Sequence, residues 1–389
     1  MGLFKLVRST MIFNGLWRLG TDNLSTSQKK LYILYSIFAQ IVYVSTPVLL
    51  AANFPKLFRT DVTAGIEALS KFFYAVLIIT KVFVYQSESI RQLLSNAIHE
   101  ESILFDENDV VGCKIYKRHV LFCSKLSKFL FFSAIFGGSL LIEMGLVSTY
   151  KYTGNQKHSN QSLEIYLPLT LWYPVDVNKY YNWLLLEQIV DIVLTSTCAP
   201  TLQIFATTLL IFIQAELEIL QYHFRNLGCL DSTNLNTISY DVARNLKLLC
   251  RKHQKLIKYV MAVNKCFTHV MFLEYSVSSV MLATAVCQVI AGQNLAFNGA
   301  FAAMMISQLL LLAWNCDEVI VQSGALATAL YESKWYEQCY HTQVLLQIML
   351  MRSQKPLSMS IGPFGSLTAD AAMSRVRMAY SYTTVMTGN

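Results

Sequence analysis

The segment "LYILYSIFAQIVYVSTPVLLAA", residues Leu31–Ala52, decides the class of fold, because it contains no charged side chain. An α-helix needs about 20 mostly apolar residues to cross about 30 Å of hydrocarbon, since each residue advances the helix by about 1.5 Å. The segment meets that requirement without interruption. It is therefore predicted to be a transmembrane helix.

The rest of the chain is similar in character. Of its 389 residues, 54% are apolar and only 14% are charged, whereas an ordinary soluble domain carries about 25% charged residues. This composition predicts an all-α integral membrane protein with seven crossings, the second and the last of them weaker than the others. The candidate crossings are Leu31–Ala52, Ala64–Gln86, Phe129–Tyr150, Ile192–Ile213, Cys266–Ile290, Leu295–Cys316 and a terminal helix within residues 365–389.

Orientation follows from the distribution of Lys and Arg. Most basic residues of the connecting segments fall in the N-terminal segment and in the second, fourth and sixth connections, which the positive-inside rule assigns to the cytosol. The N-terminus is then cytosolic and the C-terminus extracellular, without a signal peptide. Asn160, in the sequon Asn160-Gln161-Ser162, falls in an outer loop and is a candidate glycosylation site.

We expect a single domain over residues 1–389. Residues 1–30 form the cytosolic N-terminus, and residues 31–316 hold crossings one to six with a cytosolic helical extension at 214–265. Apolar residues recur there at three- and four-residue steps, typical of an amphipathic helix. A cytosolic anchor helix is expected at 317–360 and the last helix at 365–389. The inner helices form either a bundle beneath the membrane or ordinary solvated loops with some helix.

Catalytic and cofactor chemistry is not indicated. The sequence lacks the HExxH, GxSxG, GxxxxGK[ST] and GxGxxG motifs, and its seven histidines are scattered. We therefore expect no enzyme, no metal, no cofactor and no nucleic-acid partner; the net charge of +7 is mostly the topology signal. Glu67 and Lys71 are four residues apart and are expected to pair on one helical face. The outer connection Lys151–Asn182, rich in proline and aromatic residues, forms either a lid or an interfacial belt.

The terminal stretch "GSLTADAAMSRVRMAYSYTTVMTGN", residues 365–389, is too polar to face lipid. Asp370, Arg375 and Arg377 would each cost about 2.5 to 3.5 kcal/mol at the centre of a membrane helix. A helix facing water inside an assembly avoids this cost, which predicts a pore lining in an oligomer of cyclic symmetry. A ring of Val385 would form a hydrophobic gate. The face predicted to line the pore contains Met378, Ser381, Val385 and Gly388, with Tyr382 beside it.

Three motifs near the end resemble the C-terminal pattern of the insect odorant receptor family: "ALYESKWY" (Ala329–Tyr336), "GPFGSL" (Gly362–Leu367) and "MAYSYTTVM" (Met378–Met386). The resemblance implies a ligand-gated, non-selective cation channel in the plasma membrane of olfactory sensory neurons. It implies a heterotetramer in which a ligand-tuned subunit assembles with a shared co-receptor. The short connection between the fourth and fifth crossings indicates the tuned subunit, not the co-receptor. Aligned on the Ser-Tyr pair, Val385 matches the gate position of that family.

The resemblance also implies that a small volatile odorant binds in the outer half of the membrane. Aromatic side chains with few polar groups suit such a ligand, although for each residue taken singly core packing is the better explanation. A G-protein-coupled receptor and a secondary transporter are the alternatives; charge asymmetry opposes the first, and no internal repeat supports the second. The expected pocket residues are Phe72, Phe73, Gly138, Leu141, Thr195, Met281, Thr284, Phe297, Asn298 and Phe301.

Overall fold

The computed structural model describes residues 2–17, 25–60, 62–106, 109–155, 167–227, 235–290, 292 and 295–387. The described chain is all-α, as predicted, and six of its helices, α2, α3, α5, α6, α7 and α8, are long and apolar enough to cross a membrane. The described helices are α1 Leu3–Phe13, α2 Thr26–Thr60, α3 Val62–Tyr85, α4 Glu88–Asp106, α5 Val110–Asn155, α6 Val177–Arg225, α7 Leu235–Ile290, α8 Leu295–Glu332, α9 Tyr340–Ser353 and α10 Ala369–Thr387.

Helix α6 forms the centre of the bundle. It packs against α5 and α8 along much of its length and also touches α1 and α7. Nearly every side chain from residue 197 to 215 is buried, including the polar Gln203, Thr207 and Gln214. A helix that is buried all round needs apolar residues on every face. This explains why Ile192–Ile213 contains no charge.

Helix α1 is inserted into the bundle, a feature that the sequence did not predict for residues 1–30, which were expected to be cytosolic. Its apolar side, which includes Phe4 and Val7, is buried. The backbone N–H of Leu3 donates to Glu101 Oε1 at 2.6 Å, and Asn14, fully buried, donates to Thr201 Oγ1 at 2.9 Å. These buried hydrogen bonds fix both ends of α1 against α4 and α6.

A second buried cluster lies where α6, α7, α8 and α9 meet, which we term the α9 end of the molecule. The spacing of Val242, Leu246 and Leu249 predicts one buried helical face, and the structure buries all three. The extension 214–265 is formed by the last turns of α6 and the first half of α7. Apolar side chains from the four helices complete this cluster: Leu220, Phe224, Leu326, Leu330, Leu346 and Met349.

The anchor expected at 317–360 is two helices and not one. Helix α8 continues beyond the candidate crossing Leu295–Cys316 to Glu332, a 3₁₀ turn follows at Trp335–Glu337, and α9 runs back along α8. The prediction of a single helix was wrong because no Gly or Pro marks the break. Because α9 reverses the chain direction, Leu346 packs against α8 and is buried there. In one straight helix these residues could not contact each other.

The "GPFG" motif is a tight turn that leads into α10. Gly362 and Gly365 have φ values of 53° and 93°, a region that favours glycine because it has no Cβ. Across the turn, Ile361 N donates to Gly365 O at 2.8 Å. The backbone N–H of Ser360 donates to Asn264 Oδ1 at 2.9 Å. The turn therefore attaches the start of α10 to α7.

Candidate ligand-binding cavity and terminal helix

A cavity of about 160 Å³ lies near the end of the bundle where α2 meets α3 and α7 meets α8. Six helices contribute to its wall, which is mostly apolar: α2, α3, α5, α6, α7 and α8. Small-molecule sites are typically apolar clefts of this kind with a few polar groups. Of the ten expected pocket residues, eight lie on its wall: Gly138, Leu141, Thr195, Met281, Thr284, Phe297, Asn298 and Phe301.

Phe72 and Phe73 do not line the cavity. The Phe72 ring packs edge-on against Phe54, with centroids 5.4 Å apart, and Phe73 is 37% exposed. Tyr74 takes their place in the wall and meets Phe301 edge-on at 6.3 Å. Lining positions on α3 recur at helical spacing, from Lys71 through Tyr74 to Ile78, which puts residues 72 and 73 on neighbouring faces.

Most hydroxyl groups on the cavity wall are already engaged by their own helices. Ser70 donates to Glu67 O at 2.8 Å, and Thr284 donates to Met281 O at 2.9 Å. Thr195 donates to its own helix in the same way, at 2.7 Å. Such local bonds leave these groups with little capacity to donate to a ligand.

The charged residues of the wall are Glu67, Lys71 and Asp191. Glu67 and Lys71 form an ion pair of 2.6 Å, the pairing expected from their spacing. Asp191 is only 2% exposed, and its Oδ1 accepts from Thr46 Oγ1 at 2.8 Å. Asp191 directly precedes the candidate crossing Ile192–Ile213, and the structure buries it in the cavity wall because α2 packs beside it.

Residues 167–173 form a lid over the cavity. Gln188, fully buried, accepts from Leu169 N at 2.8 Å and donates to Leu169 O at 3.0 Å. Trp172 N donates to Leu49 O at 3.1 Å, which joins the lid to α2. Leu169 itself lines the cavity. For these residues, the lid is the interpretation that the structure favours over an interfacial belt.

Two details hold the lid close to the bundle. A Cβ at Gly145 would lie 2.5 Å from Pro168 Cγ, so only glycine permits this approach of α5. The Tyr173 phenol donates a hydrogen bond to Glu187. Burial and this hydrogen bond raise the pKa of the phenol. Tyr173 therefore remains a donor at neutral pH.

A second cavity, of about 290 Å³, lies toward the α9 end between α4, α6 and α7. Polar side chains line it: Lys255 forms an ion pair with Glu100, and His223 Nε2 lies 3.0 Å from Asp109 Oδ2. Charged groups of this kind hold water and disfavour an apolar guest. The first cavity is thus the better candidate for a hydrophobic ligand, although the second is larger.

A buried ion pair lies below the first cavity, one turn beyond Ile78. Lys81 Nζ is 2.9 Å from Glu274 Oε1, with side-chain exposures of 7% and 12%. Lys81 also lies 3.3 Å from Gln203 Oε1. The side chains of Lys81, Glu274 and Gln203 therefore connect α3, α7 and α6. Glu274 is followed by Tyr275, whose ring contacts Arg375 of α10.

One of the two arginines of α10 is packed against protein. The Arg375 guanidinium lies over the rings of Phe364, at 5.3 Å, and Tyr275, at 5.9 Å. Cation–π contacts of this kind contribute about 0.5 to 2 kcal/mol. Arg377 is instead exposed. The two arginines are therefore divided between a protein contact and an open face.

The exposed residues of α10 recur at helical spacing and so form one open face. In the single chain Ser374, Arg377, Met378 and Ser381 are all exposed, Met378 at 46%. The backbone register of α10 places position 385 on the same side. The side chains of Tyr382 and Val385, and the whole of Gly388 and Asn160, lie outside the residues that the structure describes.

Comparison with known proteins decides the family. A sequence model described as "7tm Odorant receptor" matches residues 62–380, most of the chain. The chain belongs to the odorant receptor family. It is thus a multi-pass membrane receptor of an olfactory family whose members are not known as enzymes.

Curated relatives of this odorant receptor align over part of their length. It is 27% identical over 141 residues to Odorant receptor 10 of Aedes albopictus and 28% identical over 157 residues to Odorant receptor 30a of Drosophila melanogaster. Odorant receptor Or2 of Anopheles gambiae is 24% identical over 189 residues. These alignments span 38%, 42% and 50% of the relatives, respectively.

Solved structures extend the likeness to the whole fold. The insect olfactory receptor OR5 from Machilis hrabei matches with a TM-score of 0.80 over 98% of this odorant receptor and 97% of that chain, at 17% identity. Its complex with eugenol matches with a TM-score of 0.81, over 99% and 98% of the two chains, at 16% identity. At these identities the likeness concerns the fold alone.

Proposed function

We propose that this odorant receptor binds a small, mostly apolar odorant in the cavity between α2, α3, α5, α6, α7 and α8. The observation that carries the proposal is the cavity itself: apolar walls, aromatic rings at Tyr74, Phe297 and Phe301, and a lid at 167–173. Its volume of about 160 Å³ resembles that of an engineered protein cavity of about 150 Å³ that binds benzene. The Machilis receptor whose fold it shares was solved with eugenol, a small aromatic molecule.

We further propose that the receptor is the ligand-tuned subunit of a non-selective cation channel in olfactory sensory neurons. Helix α10 supports this proposal because its exposed face carries Arg377 and two serines, which lipid would not tolerate. One such helix cannot enclose a pore, so partners are required. The partner proposed is the odorant co-receptor, in a heterotetramer.

In the proposed topology α10 is the seventh crossing, the α9 end lies in the cytosol and position 389 is extracellular. A tag placed after Asn389 should then be stained on intact cells, and Asn160→Gln should remove a glycan-dependent mass shift if Asn160 is modified. The measurement is antibody staining with and without permeabilisation. A tag that stains only permeabilised cells would overturn the topology and, with it, the role of α10.

Current recording tests the channel function. The receptor, expressed with and without an odorant co-receptor in cells that lack both, should give odorant-evoked cation currents only in the presence of the co-receptor. Val385→Ala should raise the ligand-independent current or alter permeation, because a smaller side chain weakens a hydrophobic constriction. Whole-cell recording across a panel of small volatile molecules measures both effects.

Val376→Ala is the matched control for the gate variant. Val376 lies on the face of α10 opposite to Val385 and is partly buried against the hydrophobic core that contains α6. Its truncation should therefore leave permeation unchanged. Equal effects of the two variants would count against Val385 as a gate. Currents that need no co-receptor would count against the tuned-subunit assignment. The G-protein-coupled receptor and transporter alternatives are not favoured by the family match.

A further inference from the structure

Asp191 gives the cavity a chemical preference that its apolar walls do not explain. This residue lines the cavity and is 2% exposed. Its Oδ1 accepts from Thr46, whereas its Oδ2 is buried without a hydrogen-bond partner among the described residues. A buried carboxyl oxygen without a donor costs free energy unless a ligand supplies one.

The neighbouring charges do not satisfy that oxygen. Lys71, the cation of the cavity wall, is engaged at 2.6 Å by Glu67. Glu187, one helical turn from Asp191, is an acid and accepts from Tyr173. The wall hydroxyls of Ser196 and Thr195 donate to carbonyls of their own helix. A hydrogen-bond donor for Oδ2 would therefore have to come with the ligand.

The aromatic part of the cavity wall favours a ligand that contains a ring. Phe297 and Phe301 are stacked with centroids 5.9 Å apart, and Tyr74 meets Phe301 edge-on. Aromatic walls of this type pack well against aromatic ligands. The cavity thus combines an aromatic surface with one acceptor that lacks a donor.

We propose that the cavity selects small aromatic ligands that carry one hydrogen-bond donor, a hydroxyl or an amine, and that Asp191 is the residue that accepts it. This inference rests on the proposed odorant-binding function and makes it more specific. On this proposal the cavity distinguishes donor-bearing ligands from ethers and hydrocarbons of the same shape, because the latter have no hydrogen-bond donor for Asp191 Oδ2.

Four probes with one skeleton test the proposal: 2-phenylethanol, 2-phenylethylamine, 2-phenylethyl methyl ether and ethylbenzene. At the wild-type receptor with its co-receptor, the alcohol or the amine should act at concentrations at least about tenfold lower than the ether, the ratio expected for a hydrogen bond to a carboxylate. Asp191→Leu should abolish this ratio and leave the ether unchanged. Asp191→Asn, nearly the same shape, retains an acceptor but no charge, so it should weaken the amine about tenfold relative to the alcohol.

Glu218→Gln is the matched control, because it neutralises an acid on the same helix that lies outside both the cavity wall and the lid and pairs with Arg118; it should preserve every ratio. Thermal stabilisation of the purified receptor by each probe provides a readout that needs no channel. Equal responses to the ether and the alcohol would overturn this proposal but not the proposed odorant-binding function. An Asp191→Asn variant that changes the responses to all four probes alike would have the same consequence. Stabilisation that follows the expected ratios without any current would sustain it and reject the channel function. A receptor that none of the four probes stabilises or activates would also overturn it.

Discussion

Lys81→Met should destabilise the receptor more than any other single charge change in the bundle that we consider. The substitution leaves Glu274, whose side chain is 12% exposed, without the cation that lies 2.9 Å away. Removing one partner of a buried ion pair typically costs about 3 to 5 kcal/mol, because the remaining charge stays buried and unpaired. The melting temperature of the detergent-solubilised receptor, measured by size-exclusion chromatography after heating, should fall sharply, as should the amount at the cell surface.

Two further variants make the result specific. Lys81→Met combined with Glu274→Leu should recover much of the loss, since replacing a buried pair by apolar groups is often close to neutral. Lys255→Met is the matched control: it breaks the Lys255–Glu100 pair between α4 and α7, in which Lys255 is 64% exposed, and exposed pairs contribute about 0 to 1 kcal/mol. A double variant no more stable than Lys81→Met would contradict the explanation by an unpaired charge.

Gly137→Phe should silence the response to odorants while the receptor still folds. Gly137 lines the cavity, and a Cβ at this position would meet only Met304 Sδ, at 4.0 Å. A benzyl group can therefore enter the cavity without displacing backbone. Since a cavity of about 150 Å³ holds one benzene, the added ring would occupy the space available to a ligand. We expect the half-maximal concentration of any agonist to rise at least about a hundredfold, a loss of about 2.7 kcal/mol.

Gly299→Phe is the control for that change. A Cβ at Gly299 meets nothing within 4 Å, and the residue is not part of the cavity wall. Both substitutions exchange glycine for phenylalanine within a helix, so their effects on helix propensity should be similar. Surface expression and basal current with the co-receptor should match for the two variants. A Gly137→Phe receptor that responds normally would place the odorant elsewhere, for example in the cavity lined by Lys255 and Glu100.

The sequence was sufficient for features that depend on local pattern. Charge-free stretches such as Leu31–Ala52 predicted helices that cross a membrane, and the structure forms a helix there that is long and apolar enough to cross one. The spacing of Glu67 and Lys71 predicted their ion pair, because residues four apart share one helical face.

The cavity could be predicted only in part. Gly138 and Phe301, which were expected in a ligand pocket, do line the cavity, and their contact with a ligand stays a prediction. Phe72 and Phe73 do not line it, because the rotation of α3 about its axis decides which of three consecutive positions faces inward. That rotation is set by packing against α2 and α7, which the α3 sequence alone does not reveal.

By itself, then, the sequence determined the class of fold, the apolar segments that form the long helices and the polar character of α10. Only the tertiary structure decided that Lys81 meets Glu274, that Asp191 is buried beside Thr46 and that Arg375 lies over Phe364 and Tyr275. The physical reason is the distance along the chain over which each interaction acts. Hydropathy and helical period act among neighbours in the chain, whereas the partner of a buried charge is chosen by how distant helices pack, and in a low dielectric that choice determines stability and ligand preference.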